Sequence, residues 1–168
     1  MPKVVLTSVE PIGDDCSLDL DVARNLLSAH ERERATAFQF DLHRNRYQRG
    51  RGLLRTMLGK LLDSPPSHLV IDEEKLGKPY VKESPLSFNL SHSNDLAFFA
   101  FSFDLRRLGV DIELTTRDAD VHRLSEHYFS AKEAENVASK IDNFFRIWTA
   151  KEARMKLTGE GLHLITGL

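Results

Sequence analysis

The chain has 168 residues, of which 41% are hydrophobic and 29% are charged, and its formal net charge is −2. These values are typical of one globular domain, or of two small domains that share a core. The single cysteine, Cys16, excludes an internal disulfide and favours a reducing compartment. The N-terminal residues do not form a basic leader, and no apolar stretch is long enough to span a membrane. We therefore expect a soluble cytoplasmic protein.

Hydrophobic periodicity predicts an α+β fold with one antiparallel sheet and flanking helices. The predicted strands are, in chain order, residues 3–7, 69–72, 87–90, 96–103 and 108–114. The predicted helices are residues 17–29, 31–40, 45–62, 119–127, 131–139 and 142–157. Turns are predicted at residues 76–79, 93–95 and 159–161. Ser17, Ser28 and Ser130 are expected N-caps, and Glu133 stands three residues after Ser130 at the spacing of a capping box.

Positive charge is concentrated in one stretch of this slightly acidic chain. Residues 30–60 contain eight basic and three acidic side chains, which gives a local net charge of +5. Guanidinium groups bind phosphate well, so the stretch is a candidate anion site. A solvated helix face rich in arginine is the alternative interpretation, and the stretch alone does not decide between them.

Acidic side chains follow a pattern of their own. Asp111 and Glu113 stand two apart in a predicted strand, so both point to one side. Two such carboxylates repel each other unless a cation or a proton lies between them. Glu152 and Lys156 stand four apart and share one helix face. Each pair alone is common on exposed surfaces, but three acidic oxygen donors and a lysine together describe a Mg²⁺ site that faces a phosphate group.

Four motifs in their order along the chain resemble the 4′-phosphopantetheinyl transferases, and most closely the two-half type that activates surfactin synthetase. The motifs are Gly77-Lys78-Pro79, Phe88-Asn89-Leu90-Ser91-His92-Ser93, Gly109-Val110-Asp111-Ile112-Glu113 and Trp148-x-x-Lys151-Glu152-Ala153-x-x-Lys156. The resemblance implies two halves related by a pseudo-twofold axis, here residues 1–105 and 106–168. It also implies closing strands that the second half lacks, so apolar residues such as Phe144 and Ile147 are expected to be partly uncovered.

The resemblance also implies an activity. Enzymes of this family move the 4′-phosphopantetheine arm of coenzyme A onto a serine of an apo acyl or peptidyl carrier protein and release adenosine 3′,5′-bisphosphate. By this resemblance, Mg²⁺ would be held by Asp111, Glu113 and Glu152. Glu152 would be the general base, and Lys156 would stabilise or protonate the leaving phosphate. The residues expected to bind coenzyme A are Arg46, Lys78, Pro79, Ser91, His92 and Lys156, with Arg34 and Glu133 as further candidates.

Other partners and other functions are weighed against this one. No nucleic-acid or membrane partner is expected, and the protein is expected to be a monomer. A Mg²⁺-dependent nuclease could also use two acids on a strand with a glutamate and a lysine, but in that class the last pair normally lies on a second strand. An inactive or truncated homologue that binds coenzyme A or a carrier protein without turnover is the remaining alternative.

Overall fold

The computed structural model describes residues 3–115, 120–140 and 142–159. Its strands are β1 (Leu6–Pro11), β2 (Ile71–Glu73), β3 (Pro79–Val81), β4 (Ser87–Ser93) and β5 (Leu96–Ser102). Its helices are α1 (Leu20–Leu26), α2 (Ala29–Thr36), α3 (Asp41–Leu61), α4 (Val121–Tyr128), α5 (Ala131–Ser139) and α6 (Asp142–Thr158). A short 3-10 turn at Pro66–His68 follows α3. The prediction of helices with an antiparallel sheet is confirmed.

The central sheet has three antiparallel strands in the order β1-β5-β4. β4 and β5 form a hairpin whose register pairs Ser87 with Ser102 and Ser93 with Leu96. β2 and β3 form a separate two-stranded ribbon. β4 is an edge strand of this sheet, and within the described residues the segment 107–114 lies along its outer edge.

The main core lies between the sheet and α3. The central part of α3 places Leu54 and Leu58, both fully buried, against Phe88 and Phe99 of the hairpin. α3 is long and amphipathic, and its polar face carries Arg46 and Arg51 of the basic stretch. The core thus fixes the orientation of that face, which borders the cavity described in the next section.

α4, α5 and α6 build a second, aromatic cluster that shares no side chain with the main core among the described residues. Phe144 is only 3% exposed, and its ring stacks on Phe129 at 5.4 Å and on Trp148 at 5.5 Å between centroids. Ile147 packs against the same cluster but is only partly buried, as expected. The expectation that Phe144 would be partly uncovered is therefore wrong, because α4 to α6 bury it among their own aromatic side chains.

Several predicted elements differ from the structure: the helices predicted at 31–40 and 45–62 are Ala29–Thr36 and Asp41–Leu61, and the strands differ more clearly. Residues 108–114 do not form a strand: they run extended beside β4, but their described contacts with it go largely through side chains. The strand predicted at residues 3–7 begins at Leu6 and continues to Pro11. A proline at this position is tolerated because β1 is an edge strand. β3 occupies part of the turn predicted at 76–79.

Helix capping was predicted partly correctly. Ser28 and Ser130 each form a capping box with a glutamate three residues on. α1 begins later than predicted and is capped by Asp19 instead of Ser17, since the Asp19 carboxylate accepts two backbone N–H groups. Residue 119, the predicted start of α4, and residues 160–161 lie outside the described ranges. Among the described helices, none is long and apolar enough to cross a membrane.

Candidate active site

The segment 107–114 lies along the free edge of β4 and is held there by polar side chains. Asn89 accepts a hydrogen bond from the Val110 backbone N–H at 2.8 Å, and Ser93 accepts one from the Leu114 N–H at 3.1 Å. This side-chain ladder takes the place of a backbone ladder and aligns the segment with β4. It brings Asp111 next to Ser91 and Glu113 next to Ser93.

Asp111 is the centre of a compact hydrogen-bonded group. Its Oδ1 accepts from the Ser91 hydroxyl at 2.7 Å and from the Lys156 ammonium at 2.7 Å, and Lys156 also donates to Ser91 Oγ at 2.7 Å. The side chain of Asp111 is 5% exposed, whereas that of Lys156 is 29% exposed. The structure therefore joins three predicted site residues that are distant in sequence: one from β4, one from the segment 107–114 and one from α6.

Two further carboxylates lie near this group. Glu113 accepts a hydrogen bond from Ser93 Oγ at 3.0 Å. Burial raises the pKa of Glu152 above its usual value. Lys156 opposes that shift of the Glu152 pKa, whereas the negative charges of Asp111 and Glu113 add to it. The three predicted metal ligands are thus close enough to influence each other electrostatically.

The donor set fits a divalent cation, although it is not assembled as a finished metal site. Within the residues that the structure describes, no three His, Cys, Asp or Glu side chains are grouped closely enough to hold a metal ion. Asp111 Oδ2, however, is buried and has no hydrogen-bond partner among the described residues. A buried carboxylate oxygen without a donor is costly, and a hard cation would satisfy it. The mutual repulsion of the carboxylates around Glu152 favours the same kind of ligand.

A cavity of about 960 Å³ adjoins the carboxylates. Its volume lies near the upper end of the usual range for small-molecule sites, so a ligand of cofactor size fits. Glu113 lines this cavity, as do His92 and Ser93, and Ser93 donates the hydrogen bond to Glu113. The basic side chains that line the cavity are His30, Arg34, His43, Arg46, Arg51 and His92. Three arginines of the basic stretch therefore face a cavity. Its lining also contains four carboxylates, those of Glu31, Asp72, Glu73 and Glu113.

Arg46 and His92 stand close together in this wall. Arg46 donates through Nε to Asp95 at 2.7 Å and through Nη2 to Asn94 at 2.8 Å, which fixes its guanidinium at the hairpin turn. Burial lowers the pKa of His92, and the positive charges of Lys156 and Arg46 lower it further against the pull of two carboxylates. An anion in the cavity would reverse that balance and favour the charged imidazolium.

The structure places the two further candidates differently. Arg34 reaches the cavity rim, where it pairs with Glu73 at 3.2 Å and lies 6.0 Å from the centroid of the Tyr47 ring. Glu133 completes the capping box of α5 and pairs with Lys151 Nζ at 3.1 Å. Lys151 is 5% exposed and was not among the predicted site residues, although it directly precedes Glu152 in the last motif.

Lys78 and Pro79 also point in different directions. Gly77 and Pro79, which flank Lys78, line the cavity. The Lys78 ammonium instead donates to the backbone carbonyls of Leu108 at 2.6 Å, Lys156 at 2.6 Å and Leu157 at 3.2 Å. The sequence motif gave no signal for this direction, because a side-chain target on another element is a property of the tertiary fold.

A buried charge network behind the cavity wall was also missed. Glu31 is 4% exposed and accepts from Arg55 Nε at 2.6 Å and from Arg51 Nε at 2.8 Å. Burial alone would raise the pKa of Glu31, but Arg51, the Ser28 N–H and Arg55 together hold that pKa below its usual value. Glu31 and Arg51 both line the cavity, so this network helps to fix its wall. The available signal was an acidic residue, Glu31, among the arginines of the basic stretch.

Comparison with known proteins now bears on this geometry. A family model described as the 4′-phosphopantetheinyl transferase superfamily matches residues 107–168. A second, described as 4′-phosphopantetheinyl transferase, N-terminal, matches residues 14–103. The chain belongs to the 4′-phosphopantetheinyl transferase superfamily. The two matches divide this family member at the segment that carries Asp111 along β4.

Curated relatives support the same membership. The chain is 41% identical over 145 residues to 4′-phosphopantetheinyl transferase HetI of Nostoc sp., covering 81% of this chain and 61% of HetI. It is 30% identical over 167 residues to 4′-phosphopantetheinyl transferase psf-1 of Bacillus pumilus, covering 95% of this chain and 70% of psf-1. With 4′-phosphopantetheinyl transferase Sfp of Bacillus subtilis the identity is 27% over 146 residues, and 83% of this chain and 63% of Sfp are covered. The chain thus spans somewhat less than two thirds of HetI and of Sfp.

Proposed function

We propose that this protein transfers the 4′-phosphopantetheine arm of coenzyme A to a serine of an apo acyl or peptidyl carrier protein, with Mg²⁺, and releases adenosine 3′,5′-bisphosphate. The proposal is carried by one observation: Ser91, which bonds Asp111 and Lys156, directly precedes His92 in the wall of a cavity of cofactor size that Arg34, Arg46 and Arg51 also line. Family membership supports it. Two halves related by a pseudo-twofold axis, with the reaction between them, form part of the proposal.

In the cavity, basic side chains would bind the phosphates of coenzyme A. Arg46 and His92 lie together in the wall and would contact the 3′-phosphate, with Arg34 at the rim. Pro79 would border the adenine. Because guanidinium and imidazolium groups donate charge-assisted hydrogen bonds, these contacts would fix the pyrophosphate near Ser91. Such positioning supplies much of the rate in phosphoryl-type transfer.

Asp111, Glu113 and Glu152 would hold Mg²⁺. When bound, the ion would neutralise charge on the pyrophosphate and polarise it toward attack. The Lys156 ammonium, which now compensates Asp111, would then be available to the phosphates. In this state, Lys156 would stabilise the charge that develops on the leaving phosphate, or protonate it.

The transfer forms one bond and breaks one bond. The serine hydroxyl oxygen of the carrier protein attacks the phosphorus that bears the pantetheine arm, and the bond from this phosphorus to the bridging pyrophosphate oxygen breaks. The electron pair leaves with adenosine 3′,5′-bisphosphate. Glu152 would accept the serine proton, and its raised pKa makes the carboxylate a better base than an ordinary exposed glutamate.

Intact-protein mass spectrometry tests the proposal. Apo carrier protein incubated with this chain, coenzyme A and Mg²⁺ should gain the mass of one phosphopantetheine group. Chelation should abolish the gain, and Mg²⁺ or Mn²⁺ should restore it while the larger Ca²⁺ does so poorly. Asp111→Ala should lose transfer, whereas Asp104→Ala, which removes a carboxylate from an exposed contact with Val4, should not. Coenzyme A binding without any mass gain would refute transfer and support an inactive homologue; transfer in the presence of chelator would remove Mg²⁺ from the proposal.

A further inference from the structure

The last turn of α6 is held by cationic side chains from outside the helix. Lys78 donates to the carbonyls of Lys156 and Leu157, and Arg107 donates through Nη1 to the Thr158 carbonyl at 2.7 Å. The last carbonyls of a helix have no partner within the helix and form the negative end of its dipole. Cations are therefore favoured here, and these two come from the β2–β3 turn and from the start of the segment 107–114.

The same segment touches α6 through its backbone. A Cβ at Gly109 would lie 1.9 Å from the Ala153 carbonyl oxygen and 2.5 Å from the Leu157 nitrogen, distances that no side chain permits. Lys78 closes this contact by donating also to the carbonyl of Leu108, at 2.6 Å. One ammonium group thus ties the β2–β3 turn to both the segment and the helix.

We infer that Lys78 is a positioning residue for Lys156, and that it acts by fixing the last turn of α6 and not by contacting coenzyme A. The ammonium has three protons, and three carbonyls accept them in the structure. One of those carbonyls belongs to Lys156 itself, whose side chain bonds Asp111 and Ser91. This inference rests on the proposed function, because it assumes that Lys156 acts on the phosphates.

The position of Lys78 also links the ligand cavity to the helix. Its chain neighbours Gly77 and Pro79 line the cavity, while its side chain reaches α6. Burial and the nearby Arg107 lower the pKa of Lys78, which is consistent with an ammonium withdrawn from water. A ligand that orders the β2–β3 turn would therefore also order the end of α6, and with it Lys156.

Hydrogen exchange of the protein without ligand tests directly whether Lys78 holds the last turn of α6, a contact called the Lys78 clamp below. Lys78→Met keeps the length of the side chain and removes its donors. Lys75→Met is the matched control, since Lys75 is an exposed lysine in the same turn. In Lys78→Met, amides at the end of α6 should exchange about tenfold faster than in the wild type, the effect expected from the loss of a hydrogen bond that involves a charged group. Amides of α3 should be unchanged and report that the fold is intact.

Kinetics separate positioning from ligand contact. Lys78→Met should lower kcat about tenfold or more and leave the Kd for coenzyme A within about threefold, and Lys78→Arg should recover much of kcat. A raised Kd with unchanged kcat and unchanged exchange would show that Lys78 contacts the ligand and would overturn the inference. Exchange equal to that of Lys75→Met would also overturn it. A wild-type protein that transfers nothing would sink the proposed function, and the exchange result would still decide whether Lys78 holds α6.

Discussion

Lys156→Met tests how strongly the Asp111–Lys156 ion pair stabilises the protein without ligand. Methionine keeps much of the aliphatic side chain but removes the ammonium, so Asp111 Oδ1 keeps only Ser91 among its described donors. Removing one partner of a buried ion pair typically costs about 3–5 kcal/mol, mostly because the other charge stays buried. Asp111 is 5% exposed, but Lys156 is 29% exposed, so water screens part of the interaction. We therefore expect a loss of about 2–3 kcal/mol in the free energy of unfolding.

Urea unfolding at neutral pH measures this loss. The midpoint should fall without a change in the slope m, since the surface exposed on unfolding stays the same. The melting temperature should fall by about 5–10 °C, given roughly 2–4 °C per kcal/mol for a protein of this size. A stability measurement is needed here because loss of turnover alone would not distinguish a catalytic role of Lys156 from collapse of the site.

The double variant Asp111→Asn with Lys156→Met is the control. Asparagine is nearly the same size as aspartate but carries no charge, so the double variant should be more stable than Lys156→Met alone by about 1–2 kcal/mol. Two results would refute the reasoning. One is an unfolding free energy of Lys156→Met within about 0.5 kcal/mol of the wild type; the other is a double variant that is less stable than the single one.

Three further predictions concern the charges around the cavity. Glu152→Gln should slow transfer about 100-fold or more. It should also raise the melting temperature of the protein without ligand by roughly 1–3 °C, because it removes a carboxylate that Asp111 and Glu113 repel. A lower melting temperature would contradict this. The pKa of His92 is lowered without ligand and should rise when a phosphate lies beside the imidazole, so coenzyme A should bind more tightly as the pH falls from about 8 to about 6. Calorimetry should show proton uptake on binding, and His92→Asn should abolish that uptake. An uptake that is unchanged in His92→Asn would exclude His92. Arg46→Ala should weaken the binding of coenzyme A more than that of dephospho-coenzyme A, by about 1.5 kcal/mol. This is the low end of the range for a hydrogen bond to a charged group, because Asp95 already pairs with Arg46. Equal losses for both ligands would make Arg46 structural.

The helices were easier to predict than the strands, and the structure shows why. α5 and α6 carry local signals: Ser130 and Glu133 cap the first, and apolar spacing marks the second. Residues 108–114 show the alternation of a strand, but what they pair with is decided by Asn89 and the serines of β4, about 20 residues away. Alternation predicts which side a residue faces, and it does not predict whether backbone or side chains make the bonds.

For the candidate site, the sequence indicated residue types but not the contacts between them. Asp111, Glu152 and Lys156 were all selected from the order of the motifs, yet the bond between Asp111 and Lys156 spans 45 positions and depends on how α6 docks. The same limit applies to Lys78, whose partners lie 30 to 79 residues further along the chain. Local spacing cannot encode such distances, so the bonds of Lys78 to backbone carbonyls could not be predicted, and its contact with coenzyme A stays a prediction.

The two apolar clusters are separate and leave part of the contact between α6 and the rest of the chain to charged side chains. Among the described residues, the main core and the aromatic cluster share no side chain, and α6 also packs its backbone closely against Gly109. The described bonds that join α6 to the rest of the chain include the Lys156 pair with Asp111, the Lys78 clamp and Arg107 on Thr158. Polar contacts of this kind are directional and can exchange one partner for another, whereas packed apolar contacts resist such changes. If a cation and a pyrophosphate bind as proposed, we expect Lys156 to be released from Asp111 while Lys78 keeps the end of α6 in place.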